Sequence, residues 1–382
     1  MSIRNAGAVP AAELFKLRSG FVSILGRPNA GKSTLVNALV GEKVAIVTNK
    51  PQTTRTRIHG ILEVAGHKGR HPAAQIVFVD TPGIHKPGTL LDKRMMQEVH
   101  DALEHRDAVL LMVDATRRFD VAPTIDDGSA PSESLRREQS EDAFMFQLIG
   151  KLDCPVFLLI NKIDLVNRDT LLPLIAQLSA MHAFAEVIPI SARSGKGLDV
   201  LVEKLVSALP EGERYFPKDQ FTDQPERFLV AELIREKILT ETGEEVPYAS
   251  AVVVERFEEP RPEKKPKKPI KAKLNAAGES GVLEKLPLTR IAAAIYCERP
   301  GQKAILIGKG GAKLKSIGAA ARKEIESLLG TRVYLELFVT VKENWRESAP
   351  FIESLDWRKQ LEDLALSSSQ PGPEQRPRKK KT

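Results

Sequence analysis

The sequence predicts an α/β domain built on a mainly parallel sheet, followed by a smaller α+β unit. Three observations carry this. Between residues 21 and 209, short apolar runs alternate with amphipathic helical segments, the pattern of strands joined by crossover helices. The first apolar run leads directly into a glycine-rich loop that opens a helix. Past residue 225 the order changes to helix, strand, strand, helix, helix, strand, with a Gly-Lys-Gly-Gly turn between the last two helices.

The 382 residues allow two or three domains. With 42% hydrophobic and 28% charged residues, the composition is that of a soluble globular protein. No run approaches the ~18 apolar residues that span a bilayer. Residues 1–20 lack a continuous apolar core and read as a short tail rather than a signal peptide. Cys154 and Cys297 have no CxxC partner, so both read as reduced thiols and the cytosol is the default compartment. The net charge of +7 is unevenly placed. Arg261–Lys273 carries seven basic residues against one Glu, and Pro371–Thr382 five against one, which leaves the remainder slightly acidic. Both tracts are Pro-rich and nearly free of apolar residues, the composition of disorder. Solubility is one reading of them; loose contact with polyanions, RNA above all, is the other.

Taken in order, Phe21–Leu25 is the first strand and Gly26-Arg27-Pro28-Asn29-Ala30-Gly31-Lys32-Ser33 the loop after it. Glycines at this spacing let successive N–H groups point inward, and the start of the helix adds positive potential, so the loop is built for phosphate. Lys32 is expected to reach the β- and γ-phosphates and Ser33 to hold Mg²⁺, with Thr34 next on a helix that runs to Val40 and stops at Gly41. Ile58–Ala65 and Gln75–Val79 read as strands joined through a hairpin loop at Gly66–Pro72. The second ends in Asp80-Thr81-Pro82-Gly83, which sets a carboxylate at a strand tip opposite Ser33 and turns the Gly83 N–H toward a γ-phosphate. Helix Leu90–Glu104 and strand Ala108–Val113 follow, then an acidic stretch, 117–142, that reads as a loop insertion, then helix Ser140–Gly150.

Strand Pro155–Ile160 ends in Asn161-Lys162-Ile163-Asp164. The Asp164 carboxylate can accept from guanine N1–H and N2–H₂, a pair adenine does not present. Asn161 would reach the N7 side and steady the loop, and the Lys162 stem would cover the base. After helix Leu171–Met181, strand Ala185–Ile190 leads to Ser191-Ala192-Arg193, where an Ala192 N–H would meet guanine O6. Helix Leu198–Leu209 closes the domain, and Pro210–Pro225 reads as a linker.

In the second unit, Arg227–Thr242 is a helix with Leu229, Leu233, Ile234 and Ile238 along one face. Ala249–Phe257 and Thr289–Glu298 are strands interrupted by the basic tract near 260–287, and Gln302–Ile307 follows. Gly308-Lys309-Gly310-Gly311 turns the chain into helix Ala312–Leu329 and strand Arg332–Val341, with 346–382 a C-terminal segment and basic tail. A GxxG turn lets a nucleic-acid backbone approach, and Lys303, Lys309, Lys313 and Lys315 supply phosphate-pairing charge around it.

In their order, GRPNAGKST, KPQTTR, DTPG, NKID and SAR resemble the Era family of Ras-like GTPases, and YFPKDQFTDQPERF, VPYASAV and ILIGKGGAKLKSIG continue the resemblance through about residue 345. It implies a Ras-like P-loop GTPase domain over 21–209 and a type II KH domain over 226–345. It further implies a GTP-hydrolysing factor of small ribosomal subunit assembly that binds GTP, GDP and the 3′ end of 16S ribosomal RNA. On this reading Mg²⁺ is held by Ser33, Asp80 and the switch residue Thr54, with Thr53 the alternative, and Asn29 is a K⁺ ligand. Lys32, Asn29, Thr54 and Gly83 then carry catalysis. Ile84 stands where Ras-type enzymes hold a water-orienting Gln, and His85 reads as a solvated or structurally bonded residue rather than a general base. The expected state is a cytoplasmic monomer. Two alternatives stay open: a nucleotide-gated RNA-binding module with incidental hydrolysis, and a GTPase held peripherally on the inner membrane by its basic tail.

Overall fold

Alternation along three strands decides where the first core lies. In β1 (Arg18–Gly26) Val22 and Ile24 face one side and Leu25 the other. The central strands of the same sheet repeat this, and every one of these side chains is at most 3% exposed. A strand buried on both faces must be covered by helices on both. The computed structural model describes residues 16–67, 71–84, 88–117, 133–260 and 287–368. They form two compact units. One comprises the described residues up to 84 with Arg94–Asp223, the other Gly88–Lys93 with the described residues from Gln224 onward.

In the first unit β1 is followed by α1 (Lys32–Val40), β2 (Ile58–Val64), β3 (Ala74–Asp80), α2 (Leu90–Glu104), β4 (Ala108–Asp114), α3 (Glu133–Ile149), β5 (Val156–Asn161), α4 (Arg168–Ser179), β6 (Glu186–Pro189) and α5 (Leu198–Ala208). The sheet order is β2-β3-β1-β4-β5-β6, parallel throughout except for the β2–β3 pair. The chain leaves β1 for one side of the sheet and returns on the other, so the loops after β1, β3, β4 and β5 open on one carboxyl edge at the point of reversal, where ligands of such sheets bind. The α1 and α5 face buries Leu35, Val36, Leu201 and Leu205 on Ile24, Leu110 and Phe157. On the opposite face, Val99, Met145, Ile149 and Leu178 cover Leu111, Leu158 and Ile160.

Three sequence expectations change here. The tail is shorter than 1–20, because Arg18 already pairs with Ala74 in β1. Helix α3 starts at Glu133, inside the stretch read as an insertion, since Glu133–Ser140 consists largely of good helix formers continuous with the buried Met145 and Ile149; residues 118–132 lie outside the described residues. Up to Asp223, Pro210–Pro225 is a strap on the first unit rather than a free linker. The fully buried Gln75 side chain accepts from Tyr215 N (2.9 Å) and Phe216 N (3.0 Å) and donates to Phe216 O (2.8 Å). Arg214 grips Glu63, Phe221 O accepts from Ile61 N of the edge strand β2, and the Thr222 hydroxyl donates to His59 O. The strap thereby occupies backbone groups that an edge strand would otherwise present to solvent.

The second unit runs α6 (Glu226–Glu241), β7 (Ala251–Glu258), β8 (Leu288–Cys297), α7 (Pro300–Ile307), α8 (Ala312–Leu329), β9 (Arg332–Val341), α9 (Ala349–Ser354) and α10 (Trp357–Ser368). The sheet is β7-β8-β9, antiparallel then parallel. Val230, Leu233, Ile234 and Ile238 of α6 and Ile317, Ala321 and Ile325 of α8 pack on Val252, Ile291, Ala293, Ile295, Val333 and Val339. Within the stretch read as a C-terminal segment and basic tail, α9 and α10 are folded. Phe351, Ile352 and Trp357 are buried, and the fully buried Trp345 donates its indole N–H to Ala249 O at 2.8 Å. The two basic tracts, 261–273 and 371–382, lie outside the described residues.

Candidate functional site

Gly31 shows how the phosphate loop is made. Its φ is +104°, and a Cβ there would come within 2.3 Å of Asn161 Nδ2, so only glycine meets both demands. It is also the N-cap of α1, with no side chain on the first-turn N–H groups and no acid in that turn, which leaves the helix start open to an anion. Gly26, Pro28, Ala30 and Thr34 complete the loop and the first turn, and Asn29 holds a positive φ of 63°. Lys32 is buried, donating to Gly26 O (3.0 Å) and Arg27 O (3.1 Å). Burial pushes its ammonium down to about 8, with Asp80 pulling the other way.

Three oxygens converge beside it. Ser33 Oγ donates to Asp80 Oδ2 at 2.7 Å, Thr54 Oγ1 donates to the same atom at 3.1 Å, and the two hydroxyls are 2.9 Å apart. Asp80 Oδ1 is buried without a hydrogen-bond partner among the described residues. Burial pushes the Asp80 carboxyl up, against the charge of Lys32 and the two hydroxyl bonds. Such a hard oxygen set with an unspent carboxylate oxygen fits Mg²⁺, whose neighbouring ligands at ~2.0–2.1 Å stand about 2.9 Å apart. The structure separates the two switch threonines: the Thr53 hydroxyl is taken up by Lys50 O (2.7 Å) and Thr48 Oγ1 (2.8 Å). Among the described residues no cluster of His, Cys, Asp and Glu rivals this site.

The DTPG loop is divided. Thr81 is fully buried and its hydroxyl donates to Ile24 O (2.6 Å), so its side chain is turned away from the phosphate loop. Pro82 is buried, and Gly83 lies so close to Pro28 that a Cβ would meet the Pro28 backbone at 2.8 Å. Ile84 is 1% exposed in the core and its N–H donates to Gly26 O (3.3 Å). Its side chain is packing, so it is not merely a poor substitute for a water-holder. His85 lies outside the described residues.

The guanine motifs meet at Asn161. Its Nδ2 donates to Ala30 O (2.8 Å) and its Oδ1 accepts from Ala192 N (2.9 Å), which ties the loops after β1, β5 and β6 together. Asn161 thereby steadies the loop, as expected of it, and the Ala192 N–H expected at O6 donates to its amide oxygen in this structure. Ser191 is likewise internal, accepting from Ser194 N (3.2 Å). Lys162, at φ +68°, donates to Asp114 Oδ2 at 2.6 Å. Burial works against ionisation of Asp114, yet bonds from Lys162 and Thr116 hold its carboxyl below the usual range. The reading of the sequence missed Asp114, although an Asp ending an apolar strand is the same signal that picked out Asp80. Asp164 stands exposed on a short 3₁₀ turn, Ile163–Leu165. Two further omissions are the Asn49 carbonyl, which accepts from Asn29 Nδ2 at 2.8 Å, and the Arg27 side chain, which turns away from the phosphate loop to α3.

In the second unit Gly308, Gly310 and Gly311 all have positive φ. At Gly310 and Gly311 an added Cβ would meet nothing within 4 Å, so the loop faces open space and α8 begins without a side-chain cap. Lys309 and Lys315 are exposed and Lys303 and Lys313 partly so. None of the four has an ion pair among the described residues.

Comparison with known proteins agrees with both units. Residues 21–162 match the family model described as 50S ribosome-binding GTPase, and 270–346 match the KH domain. The GTPase Era of Geobacter metallireducens is 45% identical over 340 residues, 89% of this chain and 98% of that one. That of Heliobacterium modesticaldum is 42% identical over 347 residues, 91% and 99%. Two solved structures, each 36% identical and covering 89% of this chain and 99% of theirs, superpose with TM-scores of 0.71 and 0.72. They are a variant of Aquifex aeolicus Era bound to GDP and AlF4⁻, and Era in complex with MgGDPNP and nucleotides 1506–1542 of 16S ribosomal RNA. The Ras-like sheet with its phosphate loop, the KH unit that follows it in the sequence and relatives matched over nearly their whole length lead to one conclusion: the chain belongs to the Era family of GTPases.

Proposed function

We propose that this protein is a GTP-hydrolysing switch that binds the 3′ end of 16S ribosomal RNA through its KH unit and acts in small-subunit assembly. The convergence of Ser33, Thr54 and Asp80 beside Lys32 carries the first half. The similarity to an Era solved with MgGDPNP and 16S ribosomal RNA supports the second. The loop N–H groups and the start of α1 bind the phosphates, Lys32 moves from the carbonyls of Gly26 and Arg27 to the β- and γ-oxygens, and Asp164 selects guanine. Ser33 and Thr54 would hold Mg²⁺, with Asp80 behind them. When bound, the ion offsets charge between the β- and γ-phosphates. Because Ile84 is core, holding the attacking water falls to backbone groups of Thr54 and Gly83 or to the substrate phosphate. Asn29 and the Asn49 carbonyl offer two oxygens to K⁺ once the amide turns, where a cation would stabilise charge that grows only in the transition state.

Lys309, Lys313 and Lys315 would pair RNA phosphates while the glycine backbone lies against the strand. We place the protein in the cytoplasm, a reading supported by its free thiols, and take it to be a monomer. Liposome sedimentation of chains with and without residues 369–382 tests peripheral membrane binding, which the tail's lack of aromatic residues disfavours. The decisive experiment is single-turnover GTP hydrolysis with and without an oligonucleotide of the 16S 3′ end. Faster hydrolysis with RNA supports the proposal. Hydrolysis no faster than in buffer, with RNA bound, favours a nucleotide-gated binder instead.

A further inference from the structure

One side chain of the phosphate loop leaves the site altogether. An arginine second in such a loop would be expected in solvent, yet Arg27 is 6% exposed. Its guanidinium runs to α3, with Nε 3.1 Å from Asp142 Oδ1 and 3.6 Å from Glu141 Oε2. Asp142 is itself buried and Glu141 nearly so. The backbone of the same residue works inside the site: its carbonyl accepts from Lys32 Nζ at 3.1 Å and from Ala30 N at 3.3 Å. The residue whose side chain is anchored on α3 therefore also supplies a carbonyl that holds the phosphate-binding lysine.

A narrow pocket lined by Arg27, Pro28, Ala30, Met112, Asp114 and Met145 lies beside the guanidinium. Stability is not a sufficient reason for burying a cation with two carboxylates, because apolar residues of similar size serve stability as well or better. What the buried cation adds is an anchor specific to the two carboxylates of α3, which an apolar side chain would not give. The far end is fixed too, since Met145 and Ile149 of α3 are fully buried in the core.

We infer that Arg27, held by Asp142 and Glu141, is a positioning residue for bound nucleotide: it sets the placement of the phosphate loop and hence the rate at which guanine nucleotide leaves. The inference rests on the nucleotide reading above. Weakening the contact loosens the loop from α3 and speeds release. Asp164, on a separate loop, continues to select the base.

The test uses the full chain loaded with a fluorescent N-methylanthraniloyl GDP, displaced by excess GDP in a stopped-flow instrument. Asp142→Asn and Arg27→Gln should each raise the off-rate by roughly tenfold, about 1.4 kcal/mol. The double variant should be no faster than either alone, since both remove one contact. Arg27→Lys, which keeps the charge, should fall between, and preference for GDP over XDP should persist in all. Unchanged off-rates in folded variants, or factors that multiply in the double, would overturn the inference. Should Asp142→Asn fail to fold, Glu141→Gln at the rim of the contact gives the same reading. Failure of the wild type to bind the probe would instead remove the nucleotide reading itself.

Discussion

The two glycine loops of this chain meet phosphates in opposite ways. In the first unit the side chains that line the site already have internal partners. Lys32 sits on two carbonyls, Ser33 and Thr54 on Asp80, and Asn161 bridges Ala30 and Ala192. In the second unit Gly310 and Gly311 face open space and Lys309 and Lys315 stand exposed. A nucleotide must therefore exchange partners inside a packed, buried site, and its affinity is a difference between two sets of strong bonds. RNA meets donors that are ready, and its affinity is a sum of solvated phosphate contacts screened by salt. The first site should be sensitive to geometry and the second to charge.

The largest effect that could break this contrast is at Lys32. Lys32→Ala should weaken GDP binding by about 100-fold or more, roughly 2.7 kcal/mol, because a charge-assisted bond to phosphate disappears. Calorimetry showing less than a tenfold change would mean the buried lysine is structural. Asp164→Asn comes next. It should reverse the preference from GTP to XTP, because the amide can donate to the oxygen that replaces the guanine amine. Continued preference for GTP in a competition assay would refute the assignment of Asp164.

Gln75→Ala tests the strap. It strands the N–H groups of Tyr215 and Phe216 and the carbonyl of Phe216, at a cost of about 1–3 kcal/mol. A matching fall in the urea midpoint of the nucleotide unit is expected, and an unchanged midpoint would show that 210–223 behaves as a linker after all. The smallest effect is ionic. GTP hydrolysis should run a few-fold faster in K⁺ than in Na⁺ at equal ionic strength, acting on kcat more than KM, and Asn29→Ala should erase the difference. Equal rates in both salts would take K⁺ out of the mechanism.

Much of this contrast was legible in the sequence, for a physical reason. A strand buried on both faces is a continuous apolar run, so its end is visible, and the residues just beyond, Asp80 and Asn161, stand out as polar groups at a sheet edge. Strand Arg332–Val341 and helix Leu90–Glu104 keep the bounds that their periodicity indicates. What the sequence hid were contacts between distant stretches. Nothing local in Asn161 reveals that Ala30 and Ala192 will occupy both ends of its amide. Nothing local in Arg27 points to α3. Proline in 210–225 marked a break in regular structure but could not show that a buried glutamine on β3 would hold the chain down. The C-terminal helices were missed too: the stretch from 346 read only as a segment and tail, and the burial of Phe351, Ile352 and Trp357 shows in the fold alone.

The contrast is tested most directly by charging the open loop and reading both ligands on one protein. Lys309→Asp combined with Gly310→Asp places two carboxylates where RNA phosphates are expected and leaves the first unit untouched. Once circular dichroism shows the variant folded, binding to a 16S 3′-end oligonucleotide should fall by roughly tenfold or more, at least about 1.4 kcal/mol. Its dependence on salt should be shallower than that of the wild type, because fewer phosphates are neutralised. GDP affinity should be unchanged. A folded variant that binds the RNA as tightly as the wild type would contradict the account, leaving the glycine loop a structural turn and placing RNA recognition elsewhere.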